Sequence, residues 1–347
     1  MRRIMNTIGI ALVAGAVLGS ASACGGNASA KSAGSSDVSV APGTSAGASA
    51  GASTGAGTGT SSSASPSASP SPTHPAGPAM LLDSITPADT ANVGVAMPIS
   101  IVFTKAVATS ARKAVEQHLS VSASVPTTGA WHWFSSRRVD WRPQNYWKSG
   151  TKVSVTADLT DVGDGNGDYG THSYKHTFTI GSDVETTVSV TGHSMTVSNG
   201  GKVVRTMPID AGSSTWPSWD GTMAVIDKSK EVRMTSCSVG ISCDKSSPDY
   251  YDLTLPWDVH LTDSGTYVHY STGDPQPGHS VGSHGCVHLS LTNAEWFYNY
   301  VKQGDPITIT GSPRGKAAAD NGYASFNLSW SQWLSASATG AQQTGTL

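Results

Sequence analysis

The chain has 347 residues, of which 13% are charged against about 25% in a typical globular domain, and its net charge is −3. That length accommodates two or three domains with full hydrophobic cores, which excludes a peptide-sized scaffold. With 21 Lys and Arg against 24 Asp and Glu and no long basic run, a protein built to neutralise nucleic-acid phosphates is excluded too, and no nucleic-acid partner is expected.

Residues 1–24 place Arg2 and Arg3 ahead of an apolar run from Ile8 to Leu18 and a small-residue stretch ending at Cys24. This is the order of an export signal, and the run is shorter than the ~20 residues a membrane-spanning helix needs. Ala21-Ser22-Ala23-Cys24 resembles a bacterial lipobox. On that reading Cys24 is the lipidated first residue of a mature protein anchored at the outer face of the cytoplasmic membrane; ordinary A-x-A cleavage is the competing reading. Residues 25–78 are Gly, Ala, Ser, Thr and Pro almost throughout, with Lys31 and Asp37 the only charged residues. Such a composition cannot build a core, so a disordered spacer is expected there. The remaining 79–347 hold 18 basic and 23 acidic residues, which argues against bulk electrostatic binding to an anionic polymer.

From Met80 onward apolar residues recur two apart: Ile99 to Phe103, Leu119 to Val121, Val153 to Val155 and Phe178 to Ile180. These are strand signals separated by turn-rich stretches, and 79–181 fits an immunoglobulin-like β-sandwich. Asp161 to Asp168 invites a calcium reading, but counting from Asp164 puts Tyr169 and Lys175 where an EF-hand loop needs Gly and Glu, so a solvated hairpin loop is expected. Trp131, Trp133, Trp141 and Trp147 fit a sandwich core better than a sugar platform. A second strand-rich block over 182–313 contains Val188 to Val190, Met195 to Val197, the Asn199-Gly200-Gly201 turn, Val203 to Ile209, Met223 to Ile226, Tyr267 to His269 and Ile307 to Ile309. One late helix is expected, opened by Ser290 or by a capping box from Thr292 to Glu295 and closed by Gly304. Residues 314–347 form a C-terminal extension. The fold class is therefore mainly β.

Four cysteines are present: Cys24, Cys237, Cys243 and Cys286. In an exported chain Cys237 and Cys243, with five residues between them, are candidates for a small-loop disulfide, though spacing alone leaves the pairing open. Cys286 is then the odd thiol, and it lies in Ser283-His284-Gly285-Cys286-Val287-His288, seventeen residues after His269. A cysteine beside imidazoles and just ahead of a helix is where a thiol pKa is expected to fall toward neutrality and supply a nucleophile, with the N–H groups around Gly285 and Cys286 as an oxyanion hole. Two other readings compete: an inert buried cysteine, and a zinc site made of His284, Cys286, His288 and His269. Three ligands two apart on one strand would strain to reach a tetrahedral ion, so no metal or other cofactor is expected.

His269 followed by Ser283-His284-Gly285-Cys286 resembles the signature of the L,D-transpeptidases with a YkuD-type catalytic domain. The similarity extends to Asp263 to His269, Asn293 to Tyr298, Gly304-Asp305 and Ser329 to Trp333, over about 80–335. The resemblance implies an immunoglobulin-like β-sandwich followed by a YkuD-type β-sandwich catalytic domain. It further implies that Cys286 is the acylated nucleophile, His269 the general base, and His284 and Gly285 parts that shape the site. The carbonyl of Tyr270 would orient the imidazole, and Tyr267, Ser283 and His288 would contact substrate. The implied partners are peptidoglycan tetrapeptide stems as donor and acceptor, joined 3→3 through a thioester with release of D-Ala, and β-lactams of the carbapenem type as inhibitors. Two features depart from the family: the loop from His269 to Ser283 is short, and His288 stands where Asn or Arg is usual. A wall cysteine peptidase or L,D-carboxypeptidase, and a non-catalytic wall-binding module, are the alternatives. The absence of a TLxTC motif and the order His before Cys weigh against sortase and papain-like readings.

Overall fold

The computed structural model describes residues 74–347; the export signal, Cys24 and the spacer up to residue 73 lie outside the described residues. In 79–181 the antiparallel strands Leu82–Thr86, Ile99–Phe103, Arg138–Pro143 and Thr128–Trp133 form one sheet, and Leu119–Ala123, Lys152–Asp158 and Ser173–Ile180 build the other. Trp131, Trp133, Trp141 and Trp147 are at most 4% exposed and pack in the core of this sandwich, which leaves no aromatic platform for a sugar. The acidic loop closes on itself: Asp164 accepts the N–H groups of Asn166 (2.7 Å) and Asp168 (3.1 Å), and Asp168 pairs with Lys105 at 2.8 Å.

The block from residue 182 on is a second sandwich. Its strands are β1 (Val184–Ser189), β2 (Ser194–Asn199), β3 (Lys202–Pro208), β4 (Gly221–Ala224), β5 (Asp227–Thr235), β6 (Asp252–Thr262), β7 (Thr266–Tyr270), β8 (Val281–Ser283), β9 (Val287–Leu289) and β10 (Pro306–Thr310), with helix α1 (Leu291–Tyr300) between the last two. One sheet has the order β3-β2-β1-β10-β4 and the other β5-β6-β7-β9. Their inward residues, among them Val188, Met195, Ile307 and Ile309 against Val259, Leu261, Val268 and Val287, share one core with Ala294 and Phe297 of α1.

Some boundaries differ from the sequence reading. Helix α1 starts at Leu291 after Ser290, whose extended backbone (ψ 155°) makes it the N-cap without a side-chain cap bond, so the expected box from Thr292 to Glu295 is not formed. Nor does Gly304 end it. The extended backbone of Val301 (ψ 161°) does, and Gly304 instead sits at φ +85° in a turn where Lys302 N–H donates to Asp305 at 2.9 Å. Two short helices that the alternation did not announce are Arg112–Gln117 and Trp330–Leu334, the latter opened by a capping box between Ser329 and Gln332.

The C-terminal extension is a strap across the two sandwiches. Gln342–Gln343 pairs with the Thr128–Trp133 strand and Gly345–Thr346 with Leu119–Ala123, one on each sheet of the immunoglobulin-like domain. Trp333 is fully buried, its indole N–H donating to Ala130 O at 2.9 Å. The domains also meet directly, where Gly94 N–H donates to Gln303 O (2.7 Å) and Ala96 N–H to Gly304 O (3.0 Å). Gly94 has to be glycine, since a Cβ there would lie 2.2 Å from the Asp305 nitrogen.

Candidate active site

The site is built on the outer face of the β5-β6-β7-β9 sheet. Along β7 the period of two sends Val268 into the core and turns Tyr267 and His269 the other way. Strand β9 runs parallel to β7 in the register Val268 with Val287 and His269 with His288, which lays His288 beside His269 and brings Cys286, two residues earlier, alongside Tyr267. The residues singled out in the SHGC run and on β7 thus converge although seventeen positions separate His269 from Cys286. His269, Ser283, His284, Cys286 and His288 line one cavity of about 340 Å³, with Tyr251 and Leu253 from the β5–β6 hairpin and Asp274 from the loop after β7 on its other walls.

His269 is 2% exposed, and its Nδ1 lies 2.7 Å from the main-chain carbonyl of Tyr270. A carbonyl only accepts, so Nδ1 carries the hydrogen and Nε2 keeps a lone pair. Burial, reinforced by the neighbouring His288, pushes the His269 pKa down to about 3, so the imidazole rests neutral. Cys286 is partly buried, and its Sγ lies 3.7 Å from the Gly265 carbonyl. Burial pushes its pKa up to about 11, only partly countered by the Tyr267 N–H. Burial thus outweighs the expected lowering; α1 begins five residues beyond Cys286, with β9 in between. At rest both partners are neutral.

The SHGC turn is stapled by Ser283. Its buried hydroxyl donates to Cys286 O (2.6 Å) and accepts from Gly285 N–H (3.0 Å). That bond occupies the Gly285 N–H, one of the two donors expected for an oxyanion hole. Gly285 itself stands at φ +117°, a conformation that favours glycine. Tyr267 stacks its ring on His260 (centroids 4.3 Å apart) and reaches the thiol through its main chain. His284 is wedged between Tyr251 (5.0 Å) and Trp216 (6.3 Å), with Asp249 3.7 Å from its Nε2. His288 uses Nδ1 to meet Asp274 at 3.0 Å. The four candidate zinc ligands therefore face different partners, and among the described residues no cluster of His, Cys, Asp and Glu has the arrangement of a metal site.

Several neighbours carried no sequence signal. Trp216, Asp249, Tyr251, Asp274 and Asp210 belong to loops and strand ends whose approach to Cys286 depends on tertiary folding. The hairpin carrying Tyr251 is cross-linked by a Cys237–Cys243 disulfide. At its neck the buried Ser236 donates its main-chain N–H to Tyr251 O (3.0 Å), and its hydroxyl accepts the Tyr251 N–H (3.1 Å) and donates to Ser242 O (2.7 Å).

Comparison with known proteins matches this architecture. Residues 50–163 match the family model of a bacterial Ig domain, and 183–309 match that of the YkuD L,D-transpeptidase catalytic domain. The chain is 35% identical to L,D-transpeptidase 1 of Mycobacterium tuberculosis over 238 residues, 68% of this chain and 88% of the relative. It is 33% identical to L,D-transpeptidase 2 of the same species over 257 residues, 73% of this chain and 62% of that longer relative. A solved L,D-transpeptidase in complex with imipenem superposes with a TM-score of 0.57 at 35% identity, covering 67% of this chain and 100% of that one. The chain belongs to the L,D-transpeptidase family with a YkuD catalytic domain preceded by a bacterial immunoglobulin-like domain.

Proposed function

We propose that this protein is a peptidoglycan L,D-transpeptidase with Cys286 as nucleophile and His269 as general base. The observation that carries the reading is a neutral imidazole, fixed by the Tyr270 carbonyl with its Nε2 lone pair free, on the same sheet face and in the same cavity as the lone free thiol among the described residues. Because thiol and imidazole are both neutral, the proton passes from Sγ to His269 Nε2 as sulfur attacks the donor carbonyl, between the third, diamino residue of a tetrapeptide stem and its terminal D-Ala. With Gly285 N–H held by Ser283, the Cys286 N–H is the donor left in this turn for the oxyanion. Collapse of the tetrahedral species returns the proton to the departing D-Ala amine and leaves a thioester on Cys286. The side-chain amine of a second stem then gives its proton to His269, attacks the thioester and releases the thiol, producing a 3→3 cross-link.

His284, braced between Tyr251 and Trp216, forms the wall past which the donor stem enters. β-Lactams of the carbapenem type, one of which is bound to a solved relative, would acylate the same sulfur. Lipidation at Cys24 and anchoring outside the cytoplasmic membrane, with 25–78 as a tether, complete the reading; loss of the membrane-bound fraction on Cys24→Ala tests that part. The catalytic part is tested by incubating the purified protein with tetrapeptide muropeptides and following products by mass spectrometry. Free D-Ala, cross-linked dimer and an imipenem adduct on Cys286, all abolished in Cys286→Ala, are the expected results. Tripeptide monomer without dimer would assign water as the acceptor, and neither product nor adduct would overturn the proposal.

A further inference from the structure

His288 is embedded in an acidic array that the acyl-transfer chemistry above does not use. Its ring meets that of His269 edge-on, with centroids 5.1 Å apart and planes at 72°. Its Nδ1 lies 3.0 Å from Asp274 Oδ2, so the histidine donates there. Its main chain is paired with that of Asp210, His288 N–H to Asp210 O at 2.8 Å. The Asp210 carboxylate, buried at the end of β3, accepts the N–H groups of Ser280 (2.8 Å) and His279 (3.1 Å) and has His193 Nδ1 at 3.4 Å. The Asp274 carboxyl lies close enough to Asp210 for the charge of Asp210 to act on it. The loop that joins base to nucleophile is thus folded around two carboxyl groups, and one of them grips the imidazole that touches the base.

We propose that His288, gripped by Asp274, is a positioning residue for His269. Its ring holds the base edge-on in the Nε2-free orientation, and the Asp274 carboxylate behind it supports the imidazolium that forms when His269 takes the thiol proton. The inference rests on the acyl-transfer reading and deepens it. A carboxylate that orients an imidazole fixes its ring and tautomer and stabilises positive charge forming nearby, which is how carboxylates assist histidine bases. Here a second imidazole is interposed, and its position on β9 puts the carboxylate out of direct reach of His269 and next to the cavity.

The array has a pH signature. The groups facing it are His269 from β7, His284 from the SHGC turn, His279 from the connecting loop, Asp210 from the end of β3 and His193 from the β1–β2 turn. Burial opposes ionisation of Asp210, but the main-chain N–H groups of Ser280, Gly278 and His279 outweigh it and hold the group below the ordinary range. Burial and the charge of Asp210 push Asp274 up to about 6. Burial pushes His288 down to about 4, so it is neutral when Asp274 ionises. The support for His269 is present above the Asp274 pKa and fades as the pH drops through it.

The test is acylation of the full protein by imipenem, followed by β-lactam absorbance and by the mass of the Cys286 adduct between pH 5 and 9. The variants are Asp274→Asn, which keeps a hydrogen-bond partner for His288 without the charge, and His288→Phe, which keeps a ring without the bond. For the wild type an acid limb near pH 6 is expected. Asp274→Asn should be slower at pH 7 by about tenfold or more and should lose that limb, and His288→Phe should be slowed at least as much. Thermal melting of each variant reports folding; if His288→Phe melts early, Asp274→Asn decides alone. Asp274→Asn with the wild-type rate and pH profile overturns the positioning role, whereas a wild type that forms no adduct at all overturns the acyl-transfer reading instead.

Discussion

At the scale of single residues, the resting site is a neutral pair and not a thiolate beside an imidazolium. With the Cys286 pKa near 11 and that of His269 near 3, the thiolate fraction at pH 7 is about one part in ten thousand. Alkylation of the free protein by iodoacetamide should therefore be slow at pH 7 and rise about tenfold per pH unit into the alkaline range. A plateau between pH 6 and 8 would reveal a preformed ion pair and refute the assignment. Asp258 on β6 is a second residue whose ionisation burial controls: it is fully buried, neither carboxylate oxygen has a hydrogen-bond partner, and burial lifts its pKa to about 7. A carboxyl that holds its proton more tightly when folded stabilises the fold relatively best below its unfolded pKa of 3.8; stability falls as the pH rises toward 7 and levels off above. Asp258→Asn has no charge to bury and should be the more stable protein at pH 8, by up to about 4 kcal/mol, and nearly equal to the wild type at pH 4. Equal denaturation midpoints of the two at both pH values would rule this out.

At the scale of elements, the hairpin of β5 and β6 is the adjustable wall of the site. Its disulfide closes a loop of only five intervening residues, so its removal should cost less global stability than the ~3 kcal/mol assigned to a loop of about 15. The local effect should be larger, because the neck residue Ser236 links that loop to Tyr251 and Tyr251 packs on His284. Replacing both Cys237 and Cys243 by Ser should raise KM for the donor stem with a smaller change in kcat, and steady-state kinetics on muropeptides checks the split. The same region shows what could be read before folding. Period-two alternation located β7, and the SHGC run singled out Cys286 as the candidate nucleophile, because both signals are local in sequence. Asp210 and Asp274 escaped notice, since an isolated Asp at a strand end or in a Gly-Asp-Pro turn looks like turn chemistry until the parallel pairing of β7 and β9 brings it under His288. The thiol pKa departs from the sequence expectation because burial, which the residues beside Cys286 do not reveal, outweighs the neighbouring groups.

At the scale of the whole molecule, the C-terminal extension reaches both sandwiches: Tyr323 and Asn327 bond to Ala224 and Thr222 of the second, and the strap after Trp330 lies on the immunoglobulin-like domain. Its anchor is Glu116, a fully buried carboxyl that accepts the Trp133 indole N–H (2.8 Å), the N–H groups of Ala338 (2.9 Å) and Thr339 (2.9 Å) and the Thr339 hydroxyl (2.6 Å). Three of these four donors belong to the strap. Beside it, the buried Arg142 guanidinium lies 4.8 Å from the Trp333 ring and 4.5 Å from Phe326, with a hydrogen bond to Leu328 O at 3.1 Å. Deleting 335–347 would strip Glu116 of most of its hydrogen-bond donors, each contributing about 0.5–1.5 kcal/mol, and uncover an edge of each immunoglobulin-like sheet. The cost falls first on the immunoglobulin-like domain, because Cys286, His269 and the hairpin are built within the other sandwich. Calorimetry of the intact protein should then show one cooperative transition. The 335–347 deletion should show two, the earlier one belonging to residues 79–181, while imipenem acylation measured below that transition keeps the rate of the intact chain. A single transition at an unchanged temperature in the deletion variant would mean that the strap contributes little and that the direct junction at Gly94 and Gly304 couples the domains.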